Sequence, residues 1–476
     1  MPATDAALLT AEDMLGLFAR RALSPVEVLQ AITQRVARLN PGLNAFAVMN
    51  PRALDAAGDS AGRWRAARPL GLLDGVPCTV KDLIDVARLP TRRGSRLTDA
   101  RPVADDAPAV TGLKAAGAVI IGKTTTTEFG WKSPGDCPLH GITRNPWNRD
   151  YSTGGSSSGA GAAGAAGFGP LHVGTDGGGS IRIPAAWCGL VGLKPTYGRV
   201  PQWPAGAFAT VSCLGPITRT VRDAALLLSA LARYDIRDPF CVPDDGRDWR
   251  DGIEAGVAGL TVGVLRNPGF DAPVDADGVA AVERAATLLA EAGASVDEAD
   301  PGLPDTRTIF APVWGAALAR LVHAHPAEQH ALFDPGLLEA AASGEGLSAM
   351  QFMDAEAQRV TAAHAMALLH QRFDLVLCPT VPGPPPLADK PTCRPVEALW
   401  TEWAPWTFTF NLTRQPAISV PMGGGANACR ARCRSRRRNI GTIWCCVRRG
   451  RSRSRRRFPP PILAECLRQS QRANGG

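Results

Sequence analysis

The stretch from Thr153 to Val200 constrains this chain more than any other. It reads TGGSSSGAGAAGAAGFGPLHVGTDGGGSIRIPAAWCGLVGLKPTYGRV. Two glycine-serine knots, Gly154 to Gly159 and Asp176 to Ser180, bracket a run of Ala and Gly. Glycine permits positive φ and close backbone approach, so each knot can present bare N–H groups and a hydroxyl to one small volume. The run Ala160 to Gly167 has almost no side-chain bulk and predicts a tightly packed helix. His172 to Thr175 predicts a short strand leading into the second knot. Hydroxyl, helix, strand, hydroxyl is a way to bring Ser156 and Ser180 together although 24 positions separate them. A flexible linker would have the same glycine and serine content. It would not be interleaved with Val173, Ile181, Ile183, Trp187, Leu190, Val191 and Leu193, which ask for burial.

Elsewhere the sequence predicts ordinary packing elements. Thr10 opens one helix. Ser24-Pro25-Val26-Glu27 opens another as a capping box with proline at the first helical position, followed by an apolar stripe of Leu29, Ile32, Val36 and Leu39. Val76 to Val80 predicts a buried strand ending at Lys81, and by composition alone a lysine there is a solvated boundary residue. Gly117 to Thr124 satisfies the phosphate-loop pattern G-x4-G-K-[ST]. Its intervening residues are apolar and mostly β-branched, so the segment predicts a strand, and ATP binding is rejected. Helices are expected at Val221 to Ala232 and Gly278 to Ala292, and strands at Leu260 to Leu265, Ala294 to Val296 and Phe373 to Cys378. His323 and His325 have no third ligand in view, which argues against a metal. Trp400, Trp403 and Trp406 either pack or wall a pocket.

Three further stretches continue the pattern of the first: GVPCTVKDLIDV at Gly75 to Val86, GLKAAGAVIIGKTTTTEFGW at Gly112 to Trp131, and NLTRQPAISVPMG at Asn411 to Gly423. With Thr153 to Val200 they resemble the amidase signature family, serine amidases that include the A subunit of glutamyl-tRNA(Gln) amidotransferase. The resemblance implies an α/β fold with a mixed central β-sheet covered by helices on both faces. It implies a linear amide hydrolase with Ser180 as nucleophile, Ser156 (in a cis peptide in relatives) as bridging serine and Lys81 as base. Lys81 is thereby read as catalytic. The backbone N–H groups of Gly177, Gly178, Gly179 and Ser180 would form the oxyanion hole, with Ser157 either assisting or satisfying turn backbone. Relatives often carry Thr or another side chain where this chain has Gly177.

The chemistry agrees with that assignment. An amide needs an activated nucleophile, stabilisation of a tetrahedral oxyanion and a proton for the departing amine. The sequence offers no persuasive His/Asp partner near either serine knot, but a lysine can serve as base if burial and hydrogen bonding to hydroxyls keep it neutral. No metal or organic cofactor is expected. The expected partner is a small-molecule amide, with a homodimer left open and neither membrane nor nucleic acid called for. Two alternatives stand beside this: the glutaminase subunit of a tRNA-dependent amidotransferase, and a non-catalytic nucleic-acid-binding protein using an arginine-rich arm.

That arm is the tail. Residues Ala426 to Gly476 hold fifteen Arg, no Lys and one acid, Glu465, a charge of +14. The whole chain carries +8, so the preceding 425 residues carry −6. Three regions are expected: 1–70, N-terminal helices packing on the core; 71–425, the catalytic domain; and 426–476, an Arg/Cys-rich tail that is disordered or translated out of frame. With GC-favouring codons, a one-nucleotide shift turns Ala428 to Ser435 into a plausible strand and Asn439 to Arg453 into an amphipathic helix. Loss of that strand and helix would leave an open sheet edge. The twelve Cys show no metal-ligand spacing, and no leader or membrane-spanning run is evident, so a cytoplasmic setting is expected.

Overall fold

A computed structural model describes residues 5–389, 404–422 and 442–447. The chain lays down strands Phe46–Met49 (β1), Pro77–Lys81 (β2), Val119–Thr124 (β3), Asp136–Cys137 (β4), Gly141–Ile142 (β5), Arg144–Asn145 (β6), Asn148–Ser152 (β7), Leu171–Asp176 (β8), Val191–Lys194 (β9), Cys213–Thr218 (β10), Thr261–Leu265 (β11), Ser295–Ala299 (β12), Leu375–Pro379 (β13), Ala417–Pro421 (β14) and Thr442–Val447 (β15). Eleven of them form one sheet in the order β1-β3-β2-β8-β10-β9-β14-β15-β13-β11-β12. It is mixed: β2 is parallel to both β3 and β8, whereas β10 is antiparallel to β8 and β9. Pairs β4–β5 and β6–β7 are separate hairpins.

Strand periodicity puts helices on both faces. Along β13, Leu375 and Leu377 join an apolar cluster with Val262, Val264 and the helix Ala276–Glu291. The intervening Val376 and Cys378 join the opposite cluster, built on the helices Thr306–His323 and Ala349–Arg372. Successive side chains point to opposite faces, so one strand serves two cores. At the other end of the sheet, the helices Ala11–Ala19, Pro25–Leu39 and Ala53–Arg65 share one cluster with β2, β3 and β8. The Ser24 capping box is present: its hydroxyl accepts from Glu27 N–H, and the Glu27 carboxylate accepts from Ser24 N–H at 2.8 Å.

The glycine-alanine run forms the helix Ser158–Ala166, stopped by Gly167 in the left-handed conformation at φ 72°. Its small residues are demanded by contact. A Cβ on Gly159 would lie 2.2 Å from the Ala45 carbonyl oxygen and 2.4 Å from Thr125 N. Gly117 to Thr124 holds β3, and Lys123 is buried against Asp82 at 2.8 Å, with bonds to the Pro90 carbonyl and the Thr91 hydroxyl. It faces no phosphate loop. The strand expected at Ala294 to Val296 runs instead from Ser295 to Ala299, because parallel pairing with β11 extends it.

The expected open edge does not occur between β14 and β13. Thr442–Val447, from within the tail, occupies that slot as β15, antiparallel to both neighbours, Ile418 facing Cys445 and Leu377 also facing Cys445. Six residues rich in β-branched and aromatic types suffice for backbone pairing whatever their origin. These six residues fall inside Asn439 to Arg453, the segment that the shifted frame would turn into a helix; the rest of the tail, including Ala428 to Ser435, lies outside the described residues, as do Trp400 and Trp403. Trp406 is buried in the helix Pro405–Leu412, its indole N–H donating to the Pro273 carbonyl at 3.3 Å, which is a packing role.

Candidate active site

Lys81 ends β2 with its side chain completely buried. The preceding Val80 belongs to the helix-packed apolar cluster, so alternation turns Lys81 toward the opposite face. There its Nζ lies 2.7 Å from Ser156 Oγ and 2.8 Å from Thr175 Oγ1. Burial holds the ammonium well below its ordinary pKa, opposed in part by the negative charge of Asp176. Removing a cation from water favours its neutral form, so the amine can act as a base. The Gly155–Ser156 peptide is cis.

Ser180 follows the second knot, little exposed, and lines the same cavity as Ser156, Thr175 and Gly177. Its carbonyl accepts from Ser157 N–H at 3.2 Å, and the Ser157 hydroxyl donates to the Thr175 carbonyl, also at 3.2 Å. Ser157 therefore braces the first knot against the second. The Ser180 hydroxyl makes no hydrogen bond to Ser156 among the described residues; catalytic hydrogen bonds often tighten only when substrate is present.

Asp176 and Arg182 shape the loop between these serines. The Asp176 carboxylate accepts from Gly179 N–H at 2.8 Å, Ile181 N–H at 3.2 Å, and Arg182 Nε and Nη2 at 2.6 and 2.7 Å. Asn411 Nδ2 donates to it at 3.0 Å and to the Asp176 carbonyl at 2.8 Å. Burial pushes this carboxyl up, but the Arg182 guanidinium and these donors carry it down to about 2. One consequence corrects the sequence reading: the Gly179 N–H is committed to Asp176. Gly177, Gly178 and Ser180 supply the amides without a partner among the described residues. Gly179 has φ +129° and its Cβ would meet Thr407 Oγ1 at 2.5 Å, so the position requires glycine.

The cavity above Ser180 has a volume of about 340 Å³. Its aromatic walls are Phe129, Trp203, Phe208 and Trp314. Phe208 and Trp314 stack with centroids 3.6 Å apart and planes 7° from parallel. Sequence reading missed Thr175, Asp176, Arg182, Asn411, Trp203 and Trp314. Asp176 and Arg182, six positions apart, lay within the quoted stretch and could have been flagged as an opposite-charge pair in otherwise uncharged surroundings; the others carry no sequence signal of contact with the site. His323 contacts Glu345 at 3.5 Å, away from the serines, and no group of three or more His, Cys, Asp or Glu fit to hold a metal occurs among the described residues. No helix there is long and apolar enough to cross a membrane.

A buried lysine bonded to one serine, in a cavity lined by a second serine on a glycine loop, belongs here to an enzyme of the amide hydrolase class. The chain belongs to the amidase signature family, matching the family model described as Amidase over residues 27–428. It is 36% identical over 425 residues to an acylamidase of Rhodococcus erythropolis, covering 87% of this chain and 88% of that protein. It is also 36% identical to the glutamyl-tRNA(Gln) amidotransferase A subunit of Thermus thermophilus, covering 87% of this chain and 90% of that protein. Among solved structures, a bacterial aryl acylamidase of the amidase signature family superposes with a TM-score of 0.85 at 27% identity, over 98% of this chain and 99% of that one.

Proposed function

We propose that this enzyme cleaves carboxylic amides through an acyl-enzyme on Ser180, in the cytoplasm, with Ser156 and Lys81 as its proton relay. Neutral Lys81 takes the Ser156 proton while Ser156 Oγ takes that of Ser180, whose oxygen adds to the amide carbonyl. The carbonyl π electrons move onto oxygen, where the N–H groups of Gly177, Gly178 and Ser180 receive the negative charge. Losing one such donor typically costs about 3 kcal/mol of transition-state stabilisation. Collapse of the adduct breaks the C–N bond, and the relay run backwards delivers the proton to the leaving nitrogen. Water then adds to the acyl ester by the same route, releasing the acid and restoring Ser180.

The observation that carries this reading is the 2.7 Å contact between the buried Lys81 amine and Ser156 Oγ, in the cavity that Ser180 also lines. Ser180→Ala should abolish hydrolysis of a panel of small aliphatic and aryl amides while leaving the melting temperature unchanged. A variant retaining most of the wild-type turnover would remove Ser180 from the mechanism. A second reading, the glutaminase subunit of an amidotransferase, is favoured by the likeness to the Thermus thermophilus protein; ammonia release from glutamine on addition of partner subunits would support it.

A further inference from the structure

The cavity over Ser180 changes character from floor to rim. Beside the serines it is walled by Phe129, Phe208 and Trp314; toward solvent it is lined by Arg93 and Arg320. No Asp or Glu lines it among the described residues. Each arginine is held in relation to the floor. Arg93 N–H donates to the carbonyl of Asp82, the residue after Lys81, at 3.0 Å, and Phe129 N–H donates to the Arg93 carbonyl at 2.8 Å. The nearest acid to its guanidinium, Asp85, stands 4.0 Å away, too far for a strong hydrogen bond. Arg320 shares the helix Thr306–His323 with Trp314, six residues on and therefore about 9 Å further along the axis. Arg320 is exposed and has no ion-pair partner among the described residues. At the other end, Trp314 stands 3.4 Å from where a Cβ on Gly177 would be. Gly177, Trp314 and Arg320 thus make a sequence of backbone amide, aromatic face and cation.

We propose that Arg93 and Arg320 form an anion subsite, and that the preferred amides carry a carboxylate separated from the scissile bond by an aromatic or apolar spacer. The proposal rests on the reading of Ser180 above for the position of that bond. A guanidinium fork matches a carboxylate, and rings of the spacer find Trp314 and Phe208. Free glutamine brings a carboxylate that the two cations would receive and an ammonium for which no acid stands among the described lining residues.

The test uses the full chain carrying Ser180→Ala, which separates binding from chemistry. Calorimetry would compare 4-acetamidobenzoate, with the carboxylate on the amine side, and N-phenylsuccinamate, with it on the acyl side, against neutral 4-methylacetanilide. At least one anion should bind roughly tenfold tighter than the neutral amide, as a charge-assisted contact allows. That preference should shrink in Arg320→Gln and in Arg93→Gln, and with added salt. Anions binding no tighter than the neutral amide, or a preference that neither substitution alters, would overturn the subsite. Turnover by the unmutated enzyme tests the other reading separately: anion binding without hydrolysis of any amide condemns the nucleophile assignment alone, and hydrolysis without anion preference condemns the subsite alone.

Discussion

Arg182 grips Asp176 through both carboxylate oxygens, at 2.6 and 2.7 Å, where neither side chain reaches solvent. The pair does two things. Its carboxylate end gathers the amides of Gly179 and Ile181 and so fixes the curve of the loop that carries Ser180. Its guanidinium end offsets a negative charge that would otherwise favour protonation of Lys81.

The second role can be separated from the first by the sign of a pH shift. In the proposed relay Lys81 must be neutral, so activity should rise as pH passes its folded-state pKa, which burial sets well below its ordinary value. Arg182→Met leaves the Asp176 charge less countered, raises that pKa and should move the rising limb of kcat/KM to higher pH. Asp176→Asn removes the charge and should move it to lower pH. Both variants lose stability, roughly 3–5 kcal/mol for breaking a buried pair. Limbs that shift in the same direction, or stay where they are, would limit the pair to a structural part.

Two glycines in one loop should respond oppositely to alanine. Gly177 lies outside the left-handed region, and its Cβ would make ordinary contacts at 3.4 Å with Trp314 and 3.5 Å with Phe208. Gly177→Ala should raise stability by about 0.4–1 kcal/mol by restricting the unfolded chain. Gly179→Ala meets both a φ of +129° and Thr407 Oγ1 at 2.5 Å. It should destabilise the fold and lower kcat at least tenfold. Denaturant titration with steady-state kinetics checks both, and a Gly179 variant with wild-type behaviour would show that the loop is not held as described.

The tail offers a third test. Truncation after Gly423 removes β15 and exposes the facing edges of β14 and β13. Unpaired edges favour self-association, so soluble yield should fall and size-exclusion profiles should show aggregate. A truncated chain that remains soluble with an unchanged melting temperature would mean that the strand contributes nothing. The family match ends at residue 428, where the composition turns arginine-rich. We propose that restoring the alternative frame near Ala428 supplies a family-like strand and raises yield; early stops in that frame would refute this. Salt-dependent RNA retention lost on truncation would instead assign the arm to nucleic acid.

The legible part of this protein was whatever short-range pattern encodes. Capping at Ser24, the strand character of Gly117 to Thr124, and the tight helix after Ser156 follow from local sterics and hydrogen bonding, and each stands in the structure as read. The pairing of Lys81 with Ser156 was legible only through family resemblance, because β2 and the first serine knot are 75 positions apart and nothing local orients one toward the other. Tertiary structure alone decided the rest. The commitment of Gly179 N–H to Asp176, the arrival of Asn411 from 235 positions away and the Phe208–Trp314 wall depend on which chain segments the sheet brings together. The same holds for β15: backbone pairing in a vacant slot asks little of side-chain identity, so a segment unlike the family could still be seated where the sheet required a strand.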